Sequence, residues 1–169
     1  NLSVFDALSA GAVDFVRKPD MDKQKVTAFI ANLMLKIRIA SVAKVRVPAT
    51  APAMVAAPVQ NGPIRLTNGS LKMNSFIIAI GASTGGTEAT LSVLKELPEN
   101  TPGIVVTQHM PEGFTKMYAE RLDRLCKMRV REAKDGDLIE RGLVLIAPGN
   151  FQMRVARSGM RHIVRCTKE

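Results

Sequence analysis

Two residues of this chain stand where nucleophilic chemistry would need them. Ser83 lies in Gly81-Ala82-Ser83-Thr84-Gly85-Gly86, a run of small residues between an apolar stretch and an amphipathic one. Gly81-x-Ser83-x-Gly85 has the spacing of a nucleophile elbow, where small neighbours permit a turn sharp enough to lift the serine hydroxyl above a sheet. N–H groups at the start of the following helix would then stabilise negative charge developing under attack. His109 lies in Val105-Val106-Thr107-Gln108-His109-Met110-Pro111, just past a second apolar run. An imidazole within reach of a serine hydroxyl accepts its proton, which is the pairing acyl transfer requires. Two other readings of the glycine run compete. One is a phosphate-binding loop, although the run has neither the Lys-Ser/Thr ending of a Walker loop nor a full Gly-x-Gly-x-x-Gly. In the other, Ser83 merely caps a helix.

The elements around these residues set their geometry. Phe76 to Ile80 is a continuous apolar run ending at Gly81, as expected of a strand buried on both faces. Leu91, Leu94 and Leu97 mark a helix closed by Pro98. Gly103 to Thr107 reads as a second buried strand, and Phe114, Met117, Tyr118, Arg121, Leu122 and Leu125 as a second helix. Strand, helix, strand, helix at this spacing predicts an α/β domain with a parallel sheet and right-handed crossovers. Ser83 and His109 would each follow a strand, so both would sit at the carboxyl edge where such sheets bind ligands. Beyond Met128 the elements shorten. Leu143–Ile146, Gln152–Ala156 and Arg161–Arg165 read as strands, the last two joined by a turn at Ser158-Gly159.

A third group should orient the imidazole. Asp123, Asp135 and Asp137 are the candidates, but Asp123 falls on the second helix, facing solvent beside Arg121 and Arg124, and Asp135-Gly136-Asp137 reads as a turn. None follows a buried strand at the active edge. His162 and Cys166 share a face of a strand without converging. With two histidines and two cysteines in the chain, no zinc site is expected. The cysteines, Cys126 and Cys166, are too few for a disulfide framework and suggest a reduced, cytoplasmic chain.

The 169 residues fall into three zones. Residues 1–44 read as helix, short strand (Ala12 to Val16) and helix. The second helix carries Val26, Phe29, Ile30, Leu33, Met34 and Ile37 on one stripe, with Asp20 or Asp22 available as its cap. Residues 45–74 contain Pro48, Pro52, Pro58 and Pro63 and no acidic residue, the composition of an interdomain linker. Residues 75–169 form the α/β zone. The net charge of +9 is distributed along the chain, and its densest run, Arg121 to Lys134, lacks the interleaved aromatics of a stacking platform. That run reads as a solvated basic face, with attraction to acidic protein partners preferred over nucleic acid. No apolar stretch is long enough for a membrane span, so no membrane insertion is expected.

Ile78-Ala79-Ile80-Gly81-Ala82-Ser83-Thr84-Gly85-Gly86-Thr87-Glu88 resembles the nucleophile segment of the chemotaxis protein-glutamate methylesterases, the CheB family. Val106 to Phe114 is similar to their histidine segment. Asp135-Gly136 and Ile146-Ala147-Pro148-Gly149 match further stretches in the same order. The resemblance implies that Ser83 attacks a glutamate methyl ester on a chemoreceptor and releases methanol, with His109 as base, and that some receptor glutamines are deamidated at the same site. It puts Thr84, Gly85 and Met110 on the oxyanion and substrate side. Residues 1–44 resemble the closing part of a response-regulator receiver domain, Ala10-Gly11-Ala12-x-Asp14-Phe15 leading to Lys18-Pro19. Lys18 would be the lysine that pairs with a phosphorylated aspartate.

The implied architecture is the C-terminal half of a receiver (1–44), a linker (45–74) and the N-terminal part of a doubly wound methylesterase domain (75–169). The family's phosphoacceptor aspartate, the acidic pair that binds Mg2+, and the catalytic aspartate of a Gly-x-Asp-Gly segment have no counterpart in these residues. The expectation is therefore a fragment, inactive alone, with no cofactor of its own and with chemoreceptors and a chemotaxis histidine kinase as partners. A non-catalytic regulatory module and a nucleotide-binding domain built on Gly81 to Gly86 remain the alternatives.

Overall fold

The computed structural model describes residues 4–19, 23–43 and 76–168. Its centre is a four-stranded parallel sheet of β1 (Ile78–Ala82), β2 (Ile104–Gln108), β3 (Arg129–Glu132) and β4 (Leu143–Ile146), in the order β1-β2-β4-β3. Parallel ladders bury both faces of the two inner strands, β2 and β4. The run from Phe76, expected to be buried on both faces, instead forms the edge strand β1, where only one neighbour covers it and Phe76, Ile78 and Ala79 are exposed. Register pairs Ile104 with Val144 and Val106 with Ile146, so their side chains share one face, while Val105 and Leu145 share the other.

Onto the first face pack α1 (Val4–Ser9), α3 (Gly86–Glu96) and α4 (Phe114–Leu125). Their Phe5, Leu8, Leu94, Tyr118 and Leu122 close the larger core. The second face is covered by an antiparallel hairpin, β5 (Gln152–Ser158) and β6 (Arg161–Thr167), whose Met153, Val164 and Cys166 pack against Val105 and Leu145. The arrangement departs from a doubly wound sheet, since among the described residues both crossover helices lie on one face. Handedness accounts for this. The chain moves across the sheet in one direction through β1, β2 and β3, and reverses only to reach β4. A right-handed connection must then cross the opposite face, where Ile139 of the β3–β4 loop is found.

Strand β3 escapes a reading of hydrophobic runs. Its four residues alternate exposed Arg129 and Arg131 with buried Val130, and charged alternation of this kind protects an edge strand from pairing with other chains.

In the N-terminal zone, α1 and α2 (Lys23–Ser41) form, but Ala12 to Val16 do not make a strand. Neither edge of the sheet takes this segment as a neighbour, and an apolar run becomes a parallel strand only with a ladder partner. The Phe15 ring instead packs on Phe114, with centroids 4.9 Å apart. The Asp14 carboxylate accepts from the Phe15 N–H and from Lys36 Nζ of α2 at 2.9 Å. The apolar stripe of α2 is largely uncovered: Ile30, Met34 and Ile37 are exposed. The expected linker and the caps Asp20 and Asp22 lie outside the described residues.

Candidate active site

Strands β1 and β2 end together. Ala82 is the register partner of Gln108, and the His109 N–H donates to the Ala82 carbonyl at 3.1 Å. The next residue on β1 is Ser83 and the next on β2 is His109. The two thus leave the carboxyl edge side by side, on strands that run about 4.8 Å apart. Beyond Ser83 the chain turns sharply: the Gly86 N–H donates to the Ser83 carbonyl at 2.8 Å, and Gly85 takes φ +75°. A side chain at Gly85 would be strained in that left-handed conformation. The cap of α3 is Gly85, with no side-chain cap hydrogen bond, so Ser83 does not serve as a helix cap.

Both residues open into a cleft of about 1160 Å³. Its floor is Gly81 to Ser83 and Thr107 to Pro111. One wall is Ala147 to Gln152, and the other comes from Phe15 to Pro19 and α2. Among the other expected site residues, Met110 is buried and lines the cleft, while Lys18 is exposed on the N-terminal wall. Thr84 and Gly85 form the turn between Ser83 and α3 and do not line the cleft. Burial pushes the thiols of Cys126 and Cys166 up, which keeps them protonated at neutral pH, and neither borders the cleft.

No carboxylate side chain lines this cleft among the described residues. The three candidate acids have structural partners elsewhere. Asp123 Oδ1 accepts from the Val130 N–H at 2.7 Å, joining α4 to β3 rather than facing solvent unpartnered. Asp135 accepts from the Cys166 N–H and pairs with Arg165 at 3.1 Å. Burial alone would raise the pKa of Asp137, but the Arg131 guanidinium and the Lys134 N–H outweigh it and hold the carboxyl below its usual range. Among the described residues no cluster of histidine, cysteine and carboxylates could hold a metal.

Three supports of the site lie outside the sequence reading. The Gln108 amide is buried at the end of β2, and its Nε2 donates to the Ser83 carbonyl at 2.9 Å. Thr115, fully buried on α4, donates to Glu132 Oε1 at 2.5 Å and accepts from the Gly149 N–H at 3.0 Å. Arg121, expected within a solvated basic run, is buried: it pairs with Glu88 at 3.0 Å, donates to Ser9 Oγ at 2.6 Å and lies over the Phe5 ring. Only Gln108 left a signal in the sequence, as a long polar side chain between a buried strand and the candidate base.

A model of the CheB methylesterase family matches residues 78–169. Protein-glutamate methylesterase/protein-glutamine glutaminase 2 of Syntrophomonas wolfei is 46% identical over 165 residues, covering 97% of this chain and 46% of its own length. The protein-glutamate methylesterase/protein-glutamine glutaminase of Salmonella typhi is 44% identical over 160 residues, covering 94% and 43%. The chain thus spans about half the length of the curated relatives it matches. The crystal structure of the Thermotoga maritima CheB methylesterase catalytic domain aligns with a TM-score of 0.53 at 41% identity, over 55% of this chain and 50% of that one. With the family match covering the sheet, the serine turn and the histidine loop alike, this chain belongs to the CheB methylesterase family.

Proposed function

We propose that Ser83 and His109 are the nucleophile and the base of a protein-glutamate methylesterase that also deamidates glutamine, acting on chemoreceptors. The observation that carries this reading is the shared exit of the two residues from neighbouring strands, fixed by the Ala82–Gln108 register. His109 takes the Ser83 hydroxyl proton as Oγ adds to the ester carbonyl carbon. Backbone N–H groups at the turn into α3 would stabilise the developing oxyanion. Collapse of the tetrahedral species breaks the C–O bond. The proton on His109 goes to the departing methoxide, and methanol leaves. Water, deprotonated by His109, then attacks the acyl-serine; collapse breaks the acyl C–Oγ bond, His109 returns the proton to Ser83 Oγ, and a glutamate side chain is released. With glutamine as substrate, ammonia is the leaving group.

The N-terminal residues are proposed to be the closing part of a receiver whose phosphorylation regulates the esterase, with Lys18 sensing the phosphate and a chemotaxis histidine kinase as partner. Alignment to the Syntrophomonas wolfei relative extends over 97% of the chain, well before residue 78, which supports a shared N-terminal zone.

The test is methanol release from methyl-esterified receptor by the intact protein, with fluorophosphonate labelling of its nucleophile. Ser83→Ala should abolish both. Undiminished release by Ser83→Ala would overturn the assignment, and an unlabelled parent would favour a non-catalytic regulatory module.

A further inference from the structure

Gln108 is one of six buried polar or charged residues among those described, and it adjoins both candidate catalytic residues. In register with Ile104 and Val106, its side chain lies on the helix-covered face of the sheet, beneath the turn that carries Ser83. Its Nε2 donates to the Ser83 carbonyl at 2.9 Å and reaches the His109 carbonyl at 3.5 Å. Both neighbours are acceptors, so the amide must present its NH2 group to them. Its Oε1 is buried with no hydrogen-bond partner, against the Cα of Gly86, where a Cβ would come within 2.5 Å of that oxygen. An amide is retained here although half of its hydrogen-bonding capacity goes unused. A buried, unpaired carbonyl is unfavourable by about 1–3 kcal/mol, so a methionine of similar length would suit a purely packing role better.

We propose that Gln108 is a positioning residue: its NH2 group ties the carbonyl of the nucleophile to the carbonyl of the base and so fixes the approach of Ser83 to His109. The reading rests on the roles proposed for those two residues. Gln108 touches no reacting atom and acts through the backbone of both. The Ser83 carbonyl accepts from Gly86 N–H and from Gln108 Nε2, while Ala82 accepts from His109 N–H. Of these links, only the Gln108 amide joins the backbones of Ser83 and His109 themselves. The close fit of Gly86 under the amide leaves it no room to swing away.

The experiment measures the rate of fluorophosphonate labelling of the intact protein in four backgrounds: parent, Gln108→Met, His109→Ala and the double variant. Circular dichroism and thermal melting report folding. Gln108→Met should label about 10- to 100-fold more slowly than parent, the loss expected from a displacement of order 1 Å. In the His109→Ala background the same change should have no further effect, because there is no longer a pair to align. Equal losses in both backgrounds would overturn the proposal, as would a Gln108→Met rate equal to parent.

Gln108→Glu provides a second readout. A protonated carboxyl restores one of the amide's two hydrogen bonds, whereas a carboxylate faces two carbonyl oxygens with no donor. The ratio of its rate to that of parent should climb as pH falls from about 9 to about 6, since burial raises a carboxyl's pKa. A flat ratio would sink the idea, and unfolding of both variants would make Gln108 a residue of the fold rather than of the site. A parent that fails to label would instead overturn the reading of Ser83, and the role of Gln108 with it.

Discussion

Gly149, in the loop after β4, lies against the backbone of Glu112, three residues beyond His109: a Cβ at 149 would come within 2.6 Å of the Glu112 nitrogen and 2.8 Å of the Pro111 carbonyl carbon. The contact is backbone to backbone, so no flexible side chain can yield. It is pinned from α4 by Thr115, which accepts the Gly149 N–H, and from above by Asn150, whose Nδ2 donates to Glu112 Oε2 at 3.1 Å. The loop carrying the candidate base is therefore held by the third strand of the sheet as well as by its own.

Gly149→Ala should then act on His109 at a distance. The added methyl group forces the two loops apart, an overpacking change of about 1–3 kcal/mol. We expect a lower melting temperature and a fall in labelling rate larger than the stability loss explains. Normal labelling by a destabilised Gly149→Ala variant would mean that the His109 loop does not depend on this contact.

Ser83→Ala should leave stability untouched. A serine that capped α3 would lose about 1 kcal/mol on truncation, but the cap is Gly85 and Ser83 is exposed. Thermal melting of Ser83→Ala within experimental error of parent, together with complete loss of labelling, is the expected pair of results. A clear drop in melting temperature would return Ser83 to a structural role.

These contrasts mark how far a sequence can be read. Ser83 and His109 were legible because each follows an unbroken apolar run, and consecutive parallel strands usually lie side by side. The helices around Leu94 and Tyr118 declared themselves by spacing. Val13 and Phe15 did not behave as their apolar run suggested, because strand formation depends on a neighbour that local pattern does not specify. The basic run from Arg121 to Lys134 hid three different fates. Arg121 is buried in an ion pair, Arg129 and Arg131 stand on the exposed face of an edge strand, and Lys134 donates its N–H to Asp137 in a turn. Charge alone gives no hint of partners far away in sequence, as Ser9 is from Arg121.

Arg121→Met tests one of those partnerships. Removing the guanidinium leaves Glu88 unpaired, but that carboxylate is 40% exposed and can be rehydrated, so the destabilisation should fall below the 3–5 kcal/mol typical of a fully buried pair, at about 1–2 kcal/mol. The same change frees the Ser9 hydroxyl and removes the cation over Phe5. Limited proteolysis should therefore cut near α1 faster than in parent, with the sheet still protected. Unaltered cleavage of α1 would show that the stacking of Phe5 on Tyr118 suffices to hold it.

Tyr118 predicts a signature at alkaline pH. The side chain is fully buried between α3 and the sheet, its hydroxyl donates to the Thr87 carbonyl at 3.2 Å, and burial pushes its pKa up to about 12. An unfolded tyrosine ionises near 10, so between about pH 10 and about pH 12 the folded protein holds a proton that the unfolded chain has released. The stability linked to that proton is complete below about pH 10 and is lost as pH rises through the folded value. Two pH units correspond to about 2.7 kcal/mol. Tyr118→Phe should lose about 1 kcal/mol at neutral pH with the hydrogen bond, yet fall less steeply in the alkaline range. Denaturant midpoints of the two proteins should thus converge and then cross between about pH 10 and about pH 12. Parallel curves over that range would show that Tyr118 ionises as freely in the folded protein as in the unfolded chain.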